Sequence, residues 1–195
     1  MTRELGREQL VQRVAKTLRG LKHPFFFEQD TIFGSDTFLD KLLKREGDES
    51  KLRKEMHNAR AFCDGIGFRF VQLGSVSLAV IVFAENLSKE EAIGRSVVVK
   101  ESVDPFTKFA MRNTWAFPFH ANIFYVFGSS EKAFSFRNVA QDRCKHHKIG
   151  LLTTIHVKPW CIDFQGKHVN ASKALLGGLD KEPSEIESKL FSDAL

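Results

Sequence analysis

Asn122-Ile123-Phe124-Tyr125-Val126-Phe127, then Gly128-Ser129-Ser130, then the stretch from Glu131 to Lys148, is the part of the chain that decides its fold. The first six residues are mostly β-branched or aromatic and too few for a stable helix, so they predict a strand. Gly128-Ser129-Ser130 supplies a turn and hydroxyl caps, and predicts a helix over 131–148. Gly150 to Val157 then predicts a second strand. Such a strand–helix–strand connection normally joins parallel strands by a right-handed crossover. His146, His147 and Lys148 fall in the last turn of the expected helix, where positive charge complements the dipole. Trp160 to Phe164 predicts a further strand turning at Gln165-Gly166.

Upstream, Val76 to Ala84 is apolar on both faces, which predicts a central strand covered on both sides, with Val80 and Val82 fully buried. Phe68 to Leu73 predicts its antiparallel neighbour, joined through a tight turn at Gly74-Ser75. Ser88-Lys89-Glu90-Glu91 has capping-box spacing. Arg95 to Glu101 predicts a strand, and Asp104-Pro105 the start of a short helix. Nearer the start, Leu10, Val11, Val14, Leu18 and Leu21 recur at helical spacing, so residues 3–20 predict an amphipathic helix stopped by Gly20. Its other face carries Arg3, Arg7, Arg13, Lys16 and Arg19. Phe25-Phe26-Phe27 predicts a short strand or a plug against the core. Two helices follow in expectation, one through Phe38, Leu39, Leu42 and Leu43, the other through Leu52, Met56, Ala59 and Cys63 and closed by Gly65 and Gly67.

These readings predict an α/β or α+β fold: a mixed sheet of four to six strands with one C-terminal βαβ unit and N-terminal helices packed over it. They predict a single domain over 1–178, residues 1–22 being a basic helical appendage. Residues 179–195, after Gly177-Gly178, predict an acidic, mobile tail that folding does not need.

With 43% hydrophobic and 27% charged residues among 195, the composition excludes a disordered or membrane class. The apolar run at Val76 is about half of the ~18 residues a spanning helix needs. The charged first residues lack a secretory apolar region, and three widely spaced cysteines make a poor disulfide framework, so the expected setting is cytoplasmic. The formal charge of +5 is uneven, about −3 from Leu176 onward and +8 elsewhere. A basic body fits a polyanion partner, nucleic acid or an acidic protein surface, for which the acidic tail would compete.

Several groups of residues bear on chemistry. Amides at Gly128-Ser129-Ser130 could cradle an anion, although one glycine is no phosphate fingerprint. Cys144, His147, His156 and Cys161 are ligand types for zinc, in a spacing that matches no common zinc pattern. The interleaving of Phe106, Phe109, Trp115, Phe117 and Phe119 with Lys108 and Arg112 is what grips single-stranded nucleic acid, and Arg137, Arg143 and Lys145 extend the cationic set. Over Leu39 to Val157 the element order resembles the core of restriction-endonuclease-like nucleases. That resemblance implies a metal-binding acid and a Glu-x-Lys, but Val98-Val99-Lys100 has valine in place of the glutamate, which leaves Glu85, Lys100, Glu101 and Asp104 as catalytic candidates. No cofactor motif is present. The expectation is a non-catalytic binding module with a basic face, the alternatives being a magnesium-dependent hydrolase or a protein-interaction regulator.

Overall fold

The apolar run beginning at Val76 forms the strand around which the sheet is built, because it has no polar face to give to water. In the computed structural model it is β3 (Ser75–Phe83), and Leu78 to Val82 have no solvent exposure at all. The structure describes residues 6–27, 29–30, 54, 57–61, 63–71, 75–88, 90–91, 119–141, 145–149, 153–171 and 182–192. Within them the chain runs α1 (Arg7–Arg19), β1 (Phe26–Phe27), β2 (Gly65–Val71), β3, β4 (Phe119–Phe127), α2 (Ser130–Gln141), β5 (Lys145–Ile149), β6 (Thr153–Asp163), β7 (His168–Ala171) and α3 (Glu182–Ser192).

The sheet follows the order β1-β2-β3-β4-β6-β5, with β7 pairing a further part of β6. β3, β4 and β6 are parallel, while β1–β2, β2–β3, β5–β6 and β6–β7 are antiparallel. This is a mixed α+β sheet, and its C-terminal half holds the expected strand–helix–strand unit, β4–α2–β6.

Side chains alternate between the two faces of a strand, and here each face has its own roof. Phe124 and Val126 join Leu10, Val14 and Leu18 of α1 and Ile186 and Leu190 of α3 in one buried cluster. The intervening Tyr125 and Phe127 instead meet Phe136 of α2, with ring centroids 5.2 and 5.1 Å apart. Burial pushes the Tyr125 phenol well above its usual pKa. Val80 and Val82 are fully buried as expected.

Several sequence expectations are corrected. The helix after Ser130 ends at Gln141, and Lys145 to Ile149, with His146, His147 and Lys148, form edge strand β5 instead of a helix end. Pairing with β6 overrides the local helix signal, and lysines suit an unprotected edge. The separate strand expected at Trp160 is the continuation of β6, which turns through Gln165-Gly166 into β7. Gly65 and Gly67 lie in β2 and do not close a helix; at Gly67, β1 approaches closely, its Phe26 carbonyl 3.0 Å and its Phe27 ring 3.1 Å from where a Cβ would sit. Ser75 pairs with Val71 and so lies in β3, not in the expected two-residue turn at Gly74-Ser75. The helix at the start is no appendage, because six residues of α1 are buried. Nor is the acidic end a free tail: α3 packs against α1 and β7, with Ile186 2% and Leu190 1% exposed. The expected helix through Leu39 and the strand at Arg95 to Glu101 lie outside the described residues. No helix among the described residues is long and apolar enough to cross a membrane.

Because α3 closes one side of the core, Leu190→Ala should destabilise the protein by ~2–5 kcal/mol, the usual cost of emptying a buried leucine site. Urea unfolding checks this. A loss below ~0.5 kcal/mol would mean that α3 is peripheral.

Candidate functional site

In open α/β sheets, ligands commonly bind outside the carboxyl ends of the parallel strands. Here the protein's own side chains fill that place. Gly128 and Ser129 donate their amides to Glu85 Oε2 at 2.7 and 3.2 Å, and the Ser129 hydroxyl donates to the other oxygen. The Ser130 amide donates to Gln165 Oε1 at 2.8 Å, and its hydroxyl to Asp163 at 3.0 Å. The first turn of α2, which has amides with no partner inside the helix, is thus capped from β3 and β6. The anion cradle expected at Gly128-Ser129-Ser130 is occupied by Glu85, whose carboxylate serves as the cap.

The other end of the sheet holds a buried polar network. Trp160 Nε1 donates to Asn122 Oδ1 at 3.1 Å, and Asn122 Nδ2 donates to Ser77 Oγ at 2.9 Å and to the Leu78 carbonyl at 3.1 Å. Lys158 Nζ sits 4.5 Å from the Trp160 ring centre, and the Arg69 guanidinium 4.5 Å from that of Phe25. Both cations are nearly buried, which makes these ring contacts strong within their class.

Among the described residues, α1 is flanked by open grooves on its outer side. Two arginines hold its ends by the same device. Arg7 donates through Nε to Asp64 at 2.8 Å and also through a terminal nitrogen, Asp64 accepts the Phe83 amide at 2.7 Å, and the guanidinium lies 5.9 Å from the Phe83 ring centre. Arg19 donates through Nε to both oxygens of Asp30 at 2.8 and 2.9 Å, Asp30 accepts the Phe27 amide at 2.7 Å, and the guanidinium lies 4.8 Å from the Phe27 ring centre. Each aromatic residue therefore offers both its amide, to the carboxylate, and its ring face, to the arginine.

Between these staples, α1 separates two grooves. One, of about 410 Å³, runs along Arg7, Val11, Ala15 and Arg19 against β1 and β2. The other, of about 600 Å³, lies between α1 and α3 and is lined by Arg13, Lys16 and Lys189. Lys189 pairs with Glu185 at 3.2 Å and donates to the Gly20 carbonyl at the end of α1. Among the described residues, neither Arg13 nor Lys16 forms an ion pair. Of the acids of α3, Glu187 is directed away from the groove: it accepts the Val169 amide at 2.8 Å and lies 3.9 Å from His168.

Of the residues expected to carry function, Lys100, Glu101, Asp104, Lys108, Arg112, Trp115, Arg143 and Cys144 lie outside the described residues. Arg137 is on α2, across the sheet from α1, and Lys145 and His147 are on edge strand β5. Positions 156 and 161 are five apart on β6, a separation that places them on opposite faces of a strand. Cys161 is buried under α2, its thiol donating to the Ala133 carbonyl at 3.6 Å. No group of three or more potential metal ligands comes together among the described residues. Arg13 and Lys16 were visible in the sequence as part of a basic helix face. Lys189 was not, because it belongs to a segment expected to be a mobile acidic tail. No protein-family model, curated protein or solved structure matches the chain.

The staple makes a graded prediction. Arg7, 64% exposed, should cost at most about 1 kcal/mol when replaced by alanine, as for other exposed ion pairs. Asp64→Ala should cost more, ~1–3 kcal/mol, since it also leaves the Phe83 amide without its acceptor. Chemical denaturation of the two variants measures the order. An equal or reversed ranking would mean that the Phe83 amide finds another partner.

Proposed function

We propose that this protein is a non-catalytic binding module that holds nucleic acid on the basic flank of α1. The observation that carries this reading is the pair Arg13 and Lys16, which line an open groove and have no carboxylate partner among the described residues. A cation already paired within the protein gives little to a phosphate, whereas an unpaired one releases counterions when it meets a phosphate backbone. Lys189 lines the same groove from α3, but its charge is already committed to Glu185 and the Gly20 carbonyl, so Arg13 and Lys16 carry the contact. The body's excess of positive charge favours the same class of partner.

Binding of fluorescent single-stranded oligonucleotide should be strong at low salt and weaken steeply as salt rises. The double variant Arg13→Glu, Lys16→Glu should bind at least about tenfold more weakly and lower the slope of log K against log[salt] by about one to two, as the loss of two phosphate contacts implies. Its melting temperature should stay within a few degrees of the parent, because neither side chain has an ion-pair partner among the described residues. Undiminished binding by the double variant would place the interface elsewhere. No binding by the parent at low salt would turn the search to an acidic protein surface.

A further inference from the structure

The second groove differs in kind from the basic one. Arg7, Val11, Ala15 and Arg19 are spaced by four and so form a single stripe along α1, about 18 Å long from the helical rise. Its centre is apolar, floored by Val11, Ala15, Phe27 and Ile66, all at least nine-tenths buried. Its charges nearly cancel: Arg7, Arg19 and Arg60 face Glu8 and Asp64, with Asp30 behind Arg19. A neutral, half-apolar groove is a poor place for a phosphate and a good one for a planar ring with hydrogen-bonding edges.

The rim has donors to spare. Arg19 commits only its Nε to Asp30, and among the described residues its two terminal nitrogens donate no hydrogen bond. The Asp30 carboxylate and the Phe27 ring fix the guanidinium plane, so ordering it on binding costs little. A guanidinium fork held in this way matches two acceptors on the edge of a base. Gln29, exposed on the same rim, adds an amide that can both donate and accept. Gln12 lines both grooves, so a strand lying on Arg13 and Lys16 has only the width of one helix to cross.

We infer that the groove between α1 and strands β1 and β2 receives an unpaired base of a nucleic-acid strand whose phosphates lie along Arg13 and Lys16. The module is thereby selective for single strands, because a base held within a duplex cannot enter. This inference rests on the reading of the basic flank, and one set of ligands separates the two.

Affinities are measured for a mixed-sequence strand of about 12 nucleotides, within the range that one binding fold covers, for an abasic strand of equal length and charge, and for the corresponding duplex. The intact strand should bind at least about tenfold more tightly than the abasic one, consistent with the usual contribution of held bases. It should also bind more tightly than the duplex. Ala15→Leu, which fills the floor, should bring the intact strand down to the abasic level and leave abasic binding unchanged. Arg19→Lys, which keeps the charge and loses the fork, should do the same and serves if the first variant does not fold. If intact and abasic strands bind within about twofold of each other while the Arg13 and Lys16 variant still abolishes both, the base inference fails and the basic flank stands. A duplex that binds as tightly as the intact strand, or a preference that survives both groove variants, also overturns the inference. If no strand binds, both readings fail.

Discussion

The parallel run β3–β4–β6 is apolar on both of its faces, and the rest of the structure answers to that constraint. A sheet buried on one side could leave its other face to water, but Leu78 to Val82, Ile123 to Phe127 and Trp160 to Ile162 are almost entirely apolar and buried. Two roofs are therefore required. α2 follows directly from β4 and covers one face. The other is covered by helices from opposite ends of the sequence, α1 and α3, which pack against each other as well as on the sheet.

This arrangement sets where function can reside. The carboxyl ends of the parallel strands are closed by Glu85, Asp163 and Gln165, whose oxygens satisfy amides and hydroxyls that α2 would otherwise leave unpaired. The Gly166 amide adds to this closure by donating to Asp163 at 2.8 Å. A Cβ at Gly166 would meet the Asp163 carboxylate, so a larger residue there would have to displace that side chain from its hydrogen bonds. The outer surface of α1, in contrast, is bounded by two grooves, and its outward residues include the cations Arg7, Arg13, Lys16 and Arg19 beside Glu8, Gln9 and Gln12. Because Arg7 and Arg19 are anchored through carboxylates to the sheet, the helix is a fixed platform with Arg13 and Lys16 on one flank and its neutral groove on the other.

The sequence made the local features legible. The spacing of Leu10, Val14 and Leu18 predicted α1, and the Ser88 and Glu91 pair forms its expected reciprocal bonds at 2.7 and 3.1 Å. The uninterrupted apolar run at Val76 predicted the central strand. What escaped were features decided by distant partners. Lys145 to Ile149 carries no strong preference of its own and becomes a strand because β6 presents an open edge. Ile186 and Leu190 are two apolar residues in an acidic stretch, and only α1 and β7 reveal them as core. The Arg7–Asp64 staple joins residues 57 apart in sequence, beyond any local spacing rule. The basic flank was half visible, since Arg13 and Lys16 stood on an evident helix face while Lys189 depended on where α3 docks.

Lysine reactivity measured by acylation and mass spectrometry, with and without saturating single-stranded oligonucleotide at low salt, tests the central claim most directly. Lys16 and Lys189 line the basic groove, whereas Lys132 is exposed on α2 across the sheet. The account predicts that the oligonucleotide protects Lys16 and Lys189 and leaves Lys132 as reactive as before. Protection of Lys132 with Lys16 unchanged would contradict it.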